Sequence, residues 1–148
     1  MSILILGGTG FIGSRLARKL SISGKRVICM DLSPDRHRLE DLGNTITIIQ
    51  GDVVHIEDIL RAIKEHEVDT IVNLAYVLGQ PSEDNPHAAL RVNVIGMNNC
   101  FEAARICGVG KVLYASSIAV HGPQSSFGER DVTEEDGLVV RPPGIDGR

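Results

Sequence analysis

The sequence predicts an α/β fold in which helices cover both faces of a doubly wound parallel sheet. Five short apolar runs, rich in β-branched residues, recur along the 148-residue chain, and segments with helical spacing separate them. The runs are apolar without alternation, which is typical of strands buried on both faces. Strands that alternate with helices imply right-handed crossovers. The predicted strands are Ile3–Leu6, Val27–Met30, Ile46–Ile49, Thr70–Leu74 and Val112–Tyr114.

Three segments between the strands have the apolar spacing of helices. The apolar positions of the first two are Ile12, Leu16, Leu20, Ile59, Leu60 and Ile63. Gly24 follows the first of these helices at the position where a helix ends. The third helix is predicted over Ala88 to Cys107. One face of it is predicted to hold Val94, Met97, Phe101 and Ala104.

Composition sets the domain organisation and excludes several partners. Residues 1–122 are expected to form one domain, and residues 123–148 form a tail rich in Gly, Pro and acidic residues. The formal charge of -4 provides no basic field for nucleic acid or for a membrane surface. The first apolar run is too short for a signal peptide or a membrane span, so a cytoplasmic protein is expected.

Other classes of site find no support in the sequence. The three cysteines have no CxxC spacing and are predicted to be small buried residues. No phosphate loop of the GxxxxGK[ST] type, HExxH motif or GxSxG motif is present, and no metal site is expected.

A glycine-rich segment joins the first strand to the first helix, and it carries the chemistry. Its sequence is Gly7-Gly8-Thr9-Gly10-Phe11-Ile12-Gly13, in the strand-to-helix context of a dinucleotide fingerprint. Gly7, Gly8 and Gly10 allow the chain to turn and allow a pyrophosphate to come close to the backbone. The positive end of the helix dipole attracts this anion. Gly13 allows the helix to pack closely on the sheet.

Asp31 follows the second strand, where a carboxylate accepts hydrogen bonds from a ribose diol. The same charge repels a 2′-phosphate, which favours NAD over NADP. Arg36 and Arg38 follow closely and would compensate if their loop folded back, although a solvated basic turn is the simpler interpretation.

Two further strand ends are predicted at the carboxyl edge of the sheet, where open α/β sheets place the ligand crevice. Asp52 follows the third strand, and it either caps the next turn or faces an adenine. Leu74, Ala75 and Tyr76 follow the fourth strand, so their backbone is expected to line the groove under the ribose and nicotinamide.

Taken together, these motifs resemble the extended short-chain dehydrogenases/reductases, the family of NAD-dependent epimerases and dehydratases with a Rossmann fold. The resemblance covers about residues 1–122. Besides the glycine segment and Asp31, it rests on Gly51-Asp52-Val53, Asn73-Leu74-Ala75, Asn93-Val94-Ile95-Gly96 and the stretch Ser116-Ser117-Ile118-Ala119-Val120-His121-Gly122.

The resemblance implies roles for individual residues. Phe11 and Ile12 would contact the pyrophosphate, Asp31 and its neighbour Leu32 the adenosine ribose, and Asp52 and Val53 the adenine. Leu74, Ala75 and Tyr76 would lie on the nicotinamide side.

The resemblance also implies roles outside the cofactor site. Ser117 matches the active-site serine that hydrogen-bonds the substrate carbonyl or hydroxyl, and Asn93 would tie its helix to a neighbouring strand. His121 stands where the family usually has Tyr, and it is not predicted to be catalytic. The implied substrate is a small molecule, a nucleoside diphosphate sugar being the leading candidate.

The sequence departs from the family in one respect. Hydride transfer at an alcohol needs a base, for which the family uses a YxxxK pair, and no such pair occurs among these 148 residues. Three explanations stay open: the cofactor half of a longer enzyme, a non-catalytic NAD(P)-binding module, or a remnant that binds nothing. A sheet that ended at the fifth strand would leave an unpaired edge, which predicts self-association into a homo-oligomer or marginal solubility.

Overall fold

A computed structural model describes residues 1–121, 128–131 and 133. The chain divides into two compact units, Met1–Tyr114 and Ala115–Arg148. The first unit contains a parallel sheet with the strand order β3-β2-β1-β4-β5, which confirms the predicted fold class. The strands are β1 (Ser2–Leu6), β2 (Arg26–Asp31), β3 (Ile46–Gln50), β4 (Thr70–Asn73) and β5 (Lys111–Tyr114).

Helical segments connect the strands of the first unit. The α-helices are α1 (Phe11–Ile22), α2 (Ile56–His66), α3 (Gln80–Asp84), α4 (Pro86–Leu90) and α5 (Met97–Cys107). A 3-10 segment, Arg36–Thr45, connects β2 to β3, and a π-helical segment, Arg91–Gly96, joins α4 to α5. Gly24 lies just past the end of α1 with φ +73°, as the sequence predicts for a residue that ends a helix.

Each face of the sheet has its own hydrophobic core. On one face, Leu4, Ile28 and Ile71 pack with buried residues of α2 and α5. On the other face, Ile5 and Val27 pack with residues of α1 and the 3-10 segment. Because both faces are covered, the strands are apolar on both sides, and each fully buried Leu or Ile contributes about 1.5–3 kcal/mol to the free energy of unfolding.

The apolar face predicted for the third helix is not the face that packs on the sheet. Val94 and Phe101 are 51% and 47% exposed, whereas Cys100 and Ala103 are fully buried and Ala104 nearly so. Met97, Phe101 and Ala104 all lie within α5, so the π-helical segment that precedes it does not explain the difference. The face that packs on the sheet carries small residues, whereas the large apolar residues predicted another face. The predicted stripe was therefore wrong at Val94 and Phe101 and correct at Ala104, while Met97 is half-buried.

Cys29 and Cys100 are buried, as the sequence predicts, whereas Cys107 is half-buried. Burial, together with the negative charge of Asp31, raises the pKa of the Cys29 thiol to about 12. Burial likewise raises the pKa of Cys100 to about 11. Both side chains therefore stay neutral near pH 7 and pack as small apolar groups.

The second unit is described only in part. A 3-10 segment covers Ile118–His121, and the N–H of Val120 donates to the carbonyl of Ser117 at 3.2 Å. The tail predicted over residues 123–148 lies outside the described residues, apart from 128–131 and 133. Within the described part of the chain, no helix combines the length and the apolar character needed to cross a membrane.

Candidate functional site

The glycine segment forms a tight loop between β1 and α1, and neighbouring atoms lie so close to it that several positions have no room for a side chain. Gly7 has φ +75°, and the N–H groups of Gly7 and Gly8 donate to the carbonyl of Met30 at 2.9 and 3.2 Å. A Cβ on Gly8 would lie 2.6 Å from the Cβ of Cys29, and a Cβ on Gly13 would lie 2.2 Å from the Gly7 carbonyl oxygen. These glycines bring the loop, β2 and the start of α1 into direct contact.

The start of α1 presents backbone N–H groups rather than side chains. Gly10 is the N-cap residue and offers no side-chain hydrogen bond, so the N–H groups of the first turn have no intrahelical acceptor. The side chains of Phe11 and Ile12 are 64% and 63% exposed. The guanidinium of Arg15 stacks on the Phe11 ring, 3.8 Å from its centroid. The positive end of the helix dipole and these N–H groups together suit an anion.

Asp31 is held in place by the glycine loop. One carboxylate oxygen, Oδ2, accepts hydrogen bonds from the Thr9 hydroxyl at 2.8 Å and from the Thr9 N–H at 3.1 Å. The Thr9 hydroxyl oxygen also accepts from the N–H of Asp35 at 3.1 Å. The other oxygen, Oδ1, takes no part in these bonds. Thr9, which is buried, therefore fixes the direction of the Asp31 carboxylate at the end of β2.

The two arginines after Asp31 bond to other parts of the protein. The Nε of Arg38 donates to Asp35 at 3.1 Å, and a guanidinium nitrogen of Arg36 donates to the Ile48 carbonyl at 3.4 Å. Arg38 lines a cavity with Ser14, Arg15 and Arg18, and none of these four residues lines the cavity that contains Asp31. This placement agrees with the simpler interpretation of a basic turn.

The loop after β3 carries Asp52 at the same edge of the sheet. Its Oδ1 accepts from the N–H of Val54 at 2.9 Å, and its own N–H donates to Asp58 at 2.9 Å. A Cβ on Gly51 would lie 2.8 Å from the Met30 sulfur. Asp52 thus caps the turn before α2, and it also lines the cavity. Capping the turn and facing an adenine, the two roles that the sequence left open, are therefore compatible.

The segment after β4 closes against the glycine loop. A Cβ on Gly7 would lie 2.9 Å from the backbone nitrogen of Ala75. The side chain of Asn73 is buried and accepts from the Ala75 N–H at 3.1 Å. Asn93 accepts from the Val77 N–H at 2.8 Å and donates to the Val77 carbonyl at 3.0 Å. Asn93 thereby ties its helix to the segment that follows β4, whereas the resemblance implied a tie to a neighbouring strand.

These elements enclose a cavity of about 270 Å³ at the carboxyl edge of the sheet. Nine residues singled out by the sequence line it: Gly7, Gly10, Asp31, Leu32, Asp52, Val53, Leu74, Ala75 and Tyr76. Phe11, Ile12 and Gly13 belong to the start of α1 and are not among its lining residues. The charged groups among the described residues that line it are two carboxylates, Asp31 and Asp52, with no lysine or arginine.

Three lining residues were not identified from the sequence, namely Met30, Val77 and Val92, and a fourth, Gly51, was noted as part of a motif but was given no role in the site. Met30 and Gly51 directly precede predicted site residues, so a wider window around Asp31 and Asp52 would have included them. Val92 has no such signal, because it comes from the helical run between β4 and β5.

The predicted catalytic residue, Ser117, belongs to the second unit rather than to the unit that contains the cavity. Its side chain is exposed, and it directly precedes the 3-10 segment. Its role in catalysis stays a prediction.

Comparisons with known proteins agree with this geometry. The model of the NAD dependent epimerase/dehydratase family matches residues 3–142. Protein CapI of Staphylococcus aureus is 33% identical over 135 residues, which cover 85% of this chain and 40% of that protein. CDP-paratose 2-epimerase of Salmonella typhi is 30% identical over 154 aligned residues, which cover 99% of this chain and 45% of that protein.

A solved structure shows the same fold. The UDP-glucose 4-epimerase of Thermus thermophilus, crystallised in complex with NAD, aligns with a TM-score of 0.80 at 26% sequence identity. The alignment covers 96% of this chain and 45% of that protein. The chain therefore spans less than half the length of the proteins that it resembles here.

Proposed function

The chain belongs to the NAD-dependent epimerase/dehydratase family, and we propose that it is the NAD-binding part of an enzyme that acts by hydride transfer on a nucleotide sugar. In this proposal, residues 1–122 form the dinucleotide-binding domain, and residues 123–148 lead toward the catalytic and substrate-binding region. The observation that carries the proposal is the continuous cavity at the carboxyl edge, where the glycine loop meets the ends of β2, β3 and β4.

The residues around the cavity fit a dinucleotide. The N–H groups of the first turn of α1, at Phe11 and Ile12, receive the pyrophosphate, which Gly10 allows to approach. Asp31 offers Oδ1 to the adenosine ribose, while Thr9 holds Oδ2. Asp52 and Val53 form the adenine end of the site. The backbone of Leu74, Ala75 and Tyr76 forms the nicotinamide end.

The charges around the cavity favour NAD over NADP. A 2′-phosphate would lie next to the Asp31 carboxylate, and the described residues that line the cavity include no cation to receive it. Of the two arginines in the following loop, Arg38 is paired with Asp35, and Arg36 donates to the Ile48 carbonyl.

NAD held by these residues would supply the hydride acceptor for the reaction, and a base would be needed for the proton of the substrate hydroxyl. Ser117 is proposed to hydrogen-bond the substrate carbonyl or hydroxyl, because its hydroxyl both donates and accepts. Two of the similar proteins are named as epimerases of the nucleotide sugars CDP-paratose and UDP-glucose, which supports a nucleotide-sugar substrate.

A second candidate function uses the same cofactor site. These 148 residues contain no YxxxK pair; Gln80 and Ile118 stand four positions after the two tyrosines, Tyr76 and Tyr114. A module that binds NAD without transferring a hydride would need the same cavity and no base. The two functions share the cofactor site, and they differ in whether bound NAD is reduced by a substrate.

The proposal is tested by fluorescence titration of the chain with NADH and NADPH, using Asp31→Asn and the control variant Asp84→Asn, whose side chain is exposed and does not line the cavity. We expect saturable NADH binding at least about tenfold tighter than NADPH binding, because the Asp31 carboxylate accepts a hydrogen bond from the ribose of NADH and repels the 2′-phosphate of NADPH. Asp31→Asn removes most of this preference while keeping an oxygen for Thr9, and Asp84→Asn keeps the preference.

Two results would contradict the proposal. Absence of saturable binding of either nucleotide at millimolar concentration would rule out both candidate functions for this chain. Tighter binding of NADPH would show that Asp31 has a different role.

A further inference from the structure

One continuous helical run contacts both ends of the candidate cofactor cavity. The run extends from α4 through the π-helical segment into α5, and its residue Val92 lines the cavity. Asn93 holds the nicotinamide end through its two hydrogen bonds to Val77. Asn99, six residues later, points to the other end of the cavity.

Asn99 bonds to the backbone of the loop that follows β3. Its Nδ2 donates to the carbonyl of Val53 at 3.0 Å and to the carbonyl of Val54 at 2.9 Å. An amide NH₂ has two donors, and both are used here. Val53 lines the cavity and is buried, so its carbonyl would lose its hydrogen bond if Asn99 lost the donor.

Close packing supports the same contact. A Cβ on Gly96 would lie 2.7 Å from the Val53 Cγ2 atom, so the helix touches this side chain directly. Gly96 ends the π-helical segment, and Asn99 lies one turn further along α5. The π-helical segment, a geometry that is frequent at functional sites, contains Asn93 and ends three residues before Asn99.

We propose that Asn99 is a positioning residue that holds the Val53–Val54 backbone so that the adenine end of the cavity keeps its shape. Asn93 does the same for the nicotinamide end, and one helical run therefore fixes the distance between the two ends. This inference rests on the proposed function, since it assigns the loop after β3 to the adenine.

The test compares Asn99→Asp with Asn98→Asp. Both variants replace an amide with a carboxylate of the same shape on the same helix, but Asn98 is exposed to solvent. Aspartate lacks the donors that the two carbonyls need. We expect Asn99→Asp to bind NADH and AMP about tenfold more weakly than the unaltered chain, and Asn98→Asp to bind both normally.

AMP contains the adenine end of NAD without the nicotinamide end, so its affinity reports on the adenine end of the cavity alone. A loss of AMP affinity in a folded variant therefore indicates positioning, whereas a merely structural role would lower only the stability. Unchanged affinity of folded Asn99→Asp for NADH and AMP would overturn the inference, even if its thermal stability fell. Weaker NADH binding with unchanged AMP binding would also overturn it.

Two further results keep the inference and the proposed function apart. If Asn99→Asp does not fold, Asn99→Ser replaces it in the test, because serine is smaller and keeps one donor. We expect this variant to bind AMP about threefold more weakly than the unaltered chain. Normal AMP binding by Asn99→Ser would overturn the inference.

If the unaltered chain and Asn98→Asp bind neither NADH nor AMP, the proposed function fails and the inference fails with it.

Discussion

Gly10 and Gly13 lie in the same loop, but their missing side chains leave room for different partners. A Cβ on Gly13 would lie 2.2 Å from the carbonyl oxygen of Gly7, which belongs to the fold itself. A Cβ on Gly10 would meet only that same oxygen, at 3.3 Å, and the φ of Gly10 is -68°, which any residue adopts. The protein itself fills the space at Gly13, whereas a Cβ at Gly10 would make one close contact with the backbone, which a small shift would relieve.

We therefore predict that Gly10→Ala and Gly13→Ala separate binding from folding. Gly10→Ala is expected to weaken NADH binding at least about tenfold with little change in the free energy of unfolding, because its methyl group obstructs the pyrophosphate. Gly13→Ala is expected to lower the free energy of unfolding by about 1–3 kcal/mol or more through overpacking. Urea unfolding and NADH titration measure the two effects, and a stable Gly13→Ala protein would contradict this account of the loop.

At the residue scale, the sequence predicted a site residue where that residue follows a strand or interacts with residues close to it in the chain. The glycine loop, Asp31 and Asp52 meet that condition, and the structure brings them to one cavity. Asn99 does not, because the groups that it bonds lie 45 and 46 residues away. The sequence also did not predict that Arg38 pairs with Asp35. This pairing does not support the alternative in which the loop folds back and its arginines receive a 2′-phosphate.

Helix α2 ends in a conformation that does not suit its residue. The C-cap residue, Glu67, has φ 51° and ψ 51°, in the left-handed region that glycine adopts without cost. Helices α1 and α5 have glycines with positive φ at their ends, Gly24 and Gly108. The pair between Glu67 and Arg26 is 3.9 Å long and exposed, so it adds little to stability.

We predict that Glu67→Gly raises the free energy of unfolding by about 0.5–1 kcal/mol, because it removes the steric cost of the left-handed conformation. The matched control is Glu65→Gly, an exposed glutamate within the last turn of the same helix, which is expected to lower it by about 1 kcal/mol. Urea unfolding measures both. A Glu67→Gly protein less stable than the unaltered chain would show that the side chain of Glu67 makes a contact worth more than its strain.

At the scale of elements, helical spacing predicted where helices lie better than which face they bury. The spacing of α1 and α2 is regular, and Leu16, Leu20, Ile59 and Ile63 pack as expected. Ile12, which the same spacing placed on the apolar stripe of α1, is instead 63% exposed, because it lies in the first turn at the open end of the helix. In α5 the residues that face the core are small, so the large apolar side chains predicted the wrong face and placed Phe101 toward the core.

The whole molecule places the candidate site through its strand order. The chain builds the sheet outward from β1 to β2 and β3, and then returns to add β4 and β5 on the other side of β1. The crevice of such a sheet lies where the order reverses, at the carboxyl ends of β1 and β4. Gly7 follows β1 and contacts Ala75, which follows β4, at that point. The topology and the glycine loop thus predict the same location.

The sequence predicted a doubly wound parallel sheet with the ligand crevice at its carboxyl edge, because alternating strands and helices allow few topologies. The strand order itself comes from the structure. The loop after β3 and the helical run before β5 were less predictable, since their positions depend on packing between distant segments such as Gly96 and Val53.

We propose that NAD lies across this edge, with its adenine at Val53 and its nicotinamide at Ala75. Isotope-edited NOEs between NAD and the chain with ¹³C-labelled valine and alanine methyl groups test this placement. We expect NOEs from the adenine protons to the Val53 methyls and from the nicotinamide protons to the Ala75 methyl. NOEs in the reverse order, or saturable binding with NOEs to neither residue, would contradict it.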